Sequence, residues 1–146
     1  MIKERLVEEM KKALKEKNFI RLDTIRLALA EIKNKEIEKR QPLDEDESIQ
    51  VLKKGVKKIE DSLEYFERGN RPDLIRKAKL EISTLQEFLP AQLTIEEIEA
   101  LVDEVLSASS EKRSFGLVMK EVMSKVANRA DGAQVSAIVK QKLSEV

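Results

Sequence analysis

Apolar side chains along this chain recur at steps of three and four almost without interruption, and that spacing predicts helix after helix. Ile2, Leu6, Met10, Ala13 and Leu14 form one stripe, predicting a first helix from about Ile2 to Lys17. Asn18 either ends it or begins the next. Leu22, Ile25, Leu29 and Ile32 carry a second helix from Phe19 to about Arg40, which Gln41-Pro42 stops because proline disfavours helical geometry in the residue before it. Ile49, Leu52, Val56, Ile59, Leu63 and Phe66 form the most regular seam in the chain, a packing surface within a bundle or against a partner. Gly69-Asn70 closes that third helix. Pro72 suits the first turn of a fourth, striped by Ile75, Ala78, Ile82, Leu85 and Leu89.

Pro90-Ala91-Gln92-Leu93 is the best linker, since Thr94-x-x-Glu97 has the form of a capping box opening a new helix. The expected organisation is therefore all-α, with an N-terminal domain of about four longer helices (residues 1–90) and a small three-helix C-terminal domain (residues 94–146). The second domain comprises a helix from Thr94 to about Ser107, a polar loop from Ala108 to Ser114, a helix from Phe115 to Val126, and a last helix carrying Val135, Ile138, Val139 and Leu143. A segment this short is marginal alone unless it leans on its neighbour or is packed unusually well.

Composition agrees and narrows the chemistry. Of 146 residues 38% are charged and 3% aromatic, with four glycines and three prolines, the profile of a helical protein. No stretch reaches the roughly 18 consecutive apolar residues of a membrane span, and no signal peptide is recognisable at the N-terminus. Those absences point to a cytoplasmic protein with no membrane partner. There is no histidine and no cysteine, which removes imidazole bases, thiolate nucleophiles, disulfides and most transition-metal sites. No catalytic residue, metal site or cofactor is expected. Isolated glycines build neither a Walker motif nor a dinucleotide fingerprint. The acidic run Asp44-Glu45-Asp46-Glu47 complements a helix dipole without any ion. Ser109-Ser110 beside Lys112 has the residue types of a serine-lysine amidase, but no glycine-rich scaffold for an oxyanion hole, so it is read as a solvated loop.

The net charge of zero hides a polarity. Six acids and no base lie between Ala91 and Glu111, a charge of −6; seven bases against three acids follow from Lys112 to Val146, a charge of +4. Either the last two helices offer a cationic face to an anion, or the two halves neutralise each other across the bundle. Lys53-Lys54 and Lys57-Lys58 form a second basic patch. With so few aromatics there is no platform for stacking single-stranded bases, so any nucleic-acid contact is to backbone phosphate and overall shape.

The corner Val126-Ala127-Asn128-Arg129-Ala130-Asp131-Gly132 is the tight junction between the last two helices. There Asn128 is expected to close one helix in a left-handed conformation, while Asp131 caps the other through the amides that follow. An anion could use the same amides.

Asn70-Arg71-Pro72-Asp73-Leu74, Glu81-Ile82 leading into Phe88-Leu89-Pro90-Ala91-Gln92-Leu93, Gly116-Leu117-Val118-Met119, and Ala130-Asp131-Gly132 followed by Val135 and Ile138-Val139 together resemble the YqeY family. The resemblance covers nearly the whole chain. Its C-terminal part is similar to the tail of the B subunit of the tRNA-dependent glutamine amidotransferase. That implies an all-helical fold and a non-catalytic, tRNA-associated role, any carbon-nitrogen ligase label being inherited from the larger relative. The departures are Asn128 for the family's usual glycine, Leu117 for a common lysine and Ser124 for a proline. On this reading Lys120, Arg129 and Lys140 touch phosphates, while Asn128, Asp131 and Gly132 hold the corner. The alternative is an accessory module docking a larger enzyme such as an amidotransferase subunit, which requires an exposed apolar strip along Ile49 to Phe66 or on the C-terminal helix pair.

Overall fold

The computed structural model describes residues 1–108 and 114–145. Among these the chain is all-α, with seven helices and no strand: α1 (Ile2–Lys15), α2 (Phe19–Lys39), α3 (Glu45–Arg68), α4 (Pro72–Gln86), α5 (Ile95–Ser107), α6 (Phe115–Val126) and α7 (Gly132–Ser144). They gather into two compact units, Met1–Leu89 and Pro90–Val146. The Ser109-Ser110 pair and Lys112 lie outside the described residues.

In the first unit α3 packs most extensively on α4, and α1 lies along α2. The apolar stripes meet in one core containing Leu6, Ile25, Ile32, Leu52, Leu85 and Phe88. Helix starts follow local chemistry. Asn18 opens α2 by accepting the Arg21 amide at 3.3 Å, while α1 stops two residues earlier than its periodicity suggests. The reason is Lys17, whose φ of 57° turns the chain and lets the Asn18 amide donate to the Ala13 carbonyl at 3.0 Å. At α3 the acidic run forms a complete capping box: Asp44 accepts from the Glu47 amide, and Glu47 reaches back to the Asp44 amide. Glu45 also accepts from the Ile2 amide at 3.1 Å, tying the start of α1 to the start of α3.

Interhelical ion pairs fasten the same unit. Arg21 spans Glu9 at 3.0 Å and Glu87 at 2.6 Å, and Arg5 lies over the Phe88 ring at 5.2 Å while donating to the Glu87 carbonyl. Lys3 meets Glu36 at 2.8 Å, and Lys39 pairs with Glu47. The Lys3 ammonium, followed by the Leu43 amide, holds the Glu36 carboxyl below its ordinary range; Lys39 and the Asp44 amide do the same for Glu47.

The second unit is built differently. Its core is mostly valine: Val102, Val105, Val118, Val122, Val126, Val135 and Val139 surround Ile98, Ile138 and Ala130, and every one of those valines is at most 1% exposed. A valine in a helix has one strongly preferred rotamer, so burying it sacrifices little side-chain freedom. This gives the short unit a close-packed centre of its own. Thr94 starts α5 by accepting the Glu97 amide at 3.1 Å, and Asp131 starts α7 by accepting the Ala133 amide at 3.2 Å.

Candidate nucleic-acid interface

The junction between α6 and α7 is a corner, with a conformation only partly foreseen. Asn128 is left-handed, with φ of 67°, but so is Ala127 before it, with φ of 49°, and Ala127 is the residue that closes α6. A left-handed alanine costs roughly 1–2 kcal/mol because its Cβ crowds the following carbonyl. Nothing in residue type announces that position. The corner is held by main-chain bonds: the Arg129 amide donates to the Val126 carbonyl at 3.1 Å, and the Leu93 amide donates to the Arg129 carbonyl at 2.7 Å. Buried Ala130 plugs the corner into the valine core. Asp131 takes its expected capping place, so its carboxylate already occupies part of the amide cluster at the start of α7.

Gly132 is the first residue of α7 and has no positive φ. A Cβ there would meet only the Met123 methyl, at an ordinary 3.9 Å. The corner therefore does not require glycine at 132 for its backbone shape.

Bases and acids in this unit sort into two groups. Lys125 reaches Glu104 at 3.1 Å and Lys142 reaches Asp103 at 3.3 Å, so two cations of the helix pair neutralise acids of α5. Lys120, Arg129 and Lys140 are exposed and form no ion pair among the described residues. Lys140 sits over the Phe115 ring at 5.6 Å, which brings α7 against the first turn of α6; Arg129 lies at the junction, at the opposite end of α6. Its Nε donates to the Val126 carbonyl at 3.4 Å, a marginal bond. Lys120 falls between the two ends. A 12-residue helix is about 18 Å long, so the three cations are strung along the pair rather than converging on one point. Such a row matches a chain of phosphates better than a single bound anion.

The Phe115–Lys140 contact and the Leu93–Arg129 bond were not foreseen, the latter because a main-chain bond leaves no trace in residue type. The α3 seam also differs from a free docking strip. Ile49, Leu52 and Val56 are buried in the first core, whereas Ile59, Leu63 and Phe66 are only partly covered. No group of three His, Cys, Asp or Glu side chains among the described residues is placed to hold a metal ion, and no described helix is long and apolar enough to cross a membrane.

The described residues make an all-helical protein that ends in a helix pair rich in bases, two of them paired to α5. Comparison with known proteins makes this specific: the model of the family described as Yqey-like protein matches residues 3–143, and the chain belongs to that family. It is 34% identical over 146 residues to "Altered inheritance of mitochondria protein 41, mitochondrial" of Pyrenophora tritici-repentis, covering 97% of this chain and 78% of the relative. The protein of the same name from Eremothecium gossypii is 36% identical over 104 residues, 69% of this chain and 57% of the relative. A more distant relative is a glutamyl-tRNA(Gln) amidotransferase subunit of Aeropyrum pernix, 31% identical over 121 residues, 70% of this chain but 18% of that protein.

These findings overturn the expected cytoplasmic location, because the similar fungal proteins are named as mitochondrial. The expectation stood on the lack of a long apolar stretch and of a recognisable signal peptide, and neither property distinguishes one aqueous compartment from another.

Proposed function

We propose that the protein is a non-catalytic binding module for folded tRNA, gripping backbone phosphates along α6 and α7. The observation that carries this reading is the division of the helix pair's cations: Lys125 and Lys142 are matched to acids of α5, while Lys120, Arg129 and Lys140 stay outward and unmatched among the described residues. Support from kinship is the tRNA in the name of the Aeropyrum pernix amidotransferase, whose matched portion is a small part of that protein. Recognition is of shape and charge, since Phe115 already carries Lys140 on its face.

Titrating folded tRNA at several salt concentrations tests it. Each phosphate contact contributes a slope of about 0.7 to 0.9 in log K against log salt, so replacing Lys120, Arg129 and Lys140 together by glutamine is expected to flatten the slope by roughly two to three units. Lack of binding at low salt, or a salt response that the triple variant leaves unchanged, refutes the proposal.

A further inference from the structure

The junction between α1 and α2 combines two features that the tRNA-binding proposal leaves unused. Leu14, Phe19 and Ile20 all lie within one turn of the three residues separating the helices, and they are 53%, 60% and 36% exposed. Two of them flank the core stripes, Leu14 beside buried Ala13 and Ile20 just before buried Leu22, yet they face water. The same stretch of chain carries Lys11, Lys12, Lys15 and Lys17, all exposed and none ion-paired among the described residues. Glu16 is the one acid in residues 11–20. Leu27, 60% exposed, lies two turns farther along the same side of α2, with exposed Asp23 between it and Ile20.

We infer that this junction is a peripheral contact for an anionic lipid bilayer. Apolar side chains at a helix junction, flanked by long cations, match an interface where acyl chains lie just beneath negative headgroups. Lysine stems run along the apolar layer while their ammonium groups stay among the phosphates. A nucleic acid would satisfy the lysines but gives Leu14 and Ile20 no apolar environment. This departs from the expectation of no membrane partner, which rested on the lack of a spanning segment; a contact on the bilayer surface needs no spanning helix, and none is found among the described residues.

The chain has no tryptophan, so Phe19→Trp places a single fluorophore at the junction. With the full chain carrying that reporter, vesicles of phosphatidylcholine containing about a third phosphatidylserine should shift its emission to the blue and co-float the protein; pure phosphatidylcholine should do neither, and high salt should reverse the effect. Replacing the four lysines by glutamine, or Leu14 and Ile20 by serine, should each weaken partitioning by about tenfold or more. Circular dichroism melts should stay near those of the parent, because these side chains are outside the core. Three results would overturn the assignment: emission unmoved by anionic vesicles at low salt, undiminished partitioning after either set of replacements, or a Phe19→Trp signal that answers to tRNA and not to vesicles.

Discussion

The two units reach stability by different means. The first fills its core with leucine, isoleucine and phenylalanine and straps its helices with cross-helix ion pairs such as Arg21 with Glu9 and Glu87. The second relies on rigid valines, with acids concentrated on α5 and bases on α6 and α7, and among the described residues Lys125 and Lys142 pair with α5 while Lys120, Arg129 and Lys140 do not. Where charge is interleaved, as at Lys3, Arg21 and Lys39, it serves architecture by joining separate segments of the unit. Segregated charge leaves a surplus on one face, and that surplus is what a ligand can use.

The sharpest way to break this comparison is to cut a cavity in each core. Ile25→Ala should cost about 2–5 kcal/mol in the first unit, and Val122→Ala about 2 kcal/mol in the second, where two methyl groups are lost. Urea unfolding followed by hydrogen exchange in each unit checks this; if either variant loosened both units equally, the picture of two self-sufficient cores would fail. A smaller effect isolates the α6–α7 corner: Asp131→Ala should lower the stability of the second unit by about 1 kcal/mol through loss of the cap, read from its thermal transition. Ala127→Gly should act in the opposite sense and raise that stability by about 0.5 kcal/mol, since glycine relieves the left-handed strain but gains freedom in the unfolded chain.

Acid gives the mildest test. Glu36 and Glu47, both in the first unit, are held below the ordinary carboxylate range by Lys3 and Lys39 respectively. Their unfolded forms therefore take up protons at higher pH than their folded forms do. The stabilisation they provide is complete above the ordinary glutamate range and is lost as pH falls through their lowered folded values. Unfolding midpoints of the first unit measured down the acid limb should decline accordingly, and Lys3→Gln with Lys39→Gln should make the decline shallower.

Helices were legible because their signals are redundant: periodic stripes, Asp44 and Thr94 at helix starts, and Pro72 in a first turn all pointed the same way. Helix ends were less so. The left-handed residues among those described are Lys17, Arg40, Asn70, Ala127 and Asn128, and none of the four glycines joins them. A reading that looks for glycine after a helix finds Gly69, yet the turn there belongs to Asn70. At the candidate site, residue types and charge brought attention to the α6–α7 pair, but which lysines are already paired depends on how α5 lies against α6 and α7. That is tertiary information, invisible in a one-dimensional count of +4.

Position 129 serves the architecture through its carbonyl oxygen, to which Leu93 is buttoned, and through its amide. Neither service depends on the side chain that residue 129 carries, proline apart, which has no amide hydrogen to donate. Evolution is thus free to retune the outward chemistry of this position without disturbing the corner, and a saturation library at 129 should vary in what it binds far more than in whether it folds.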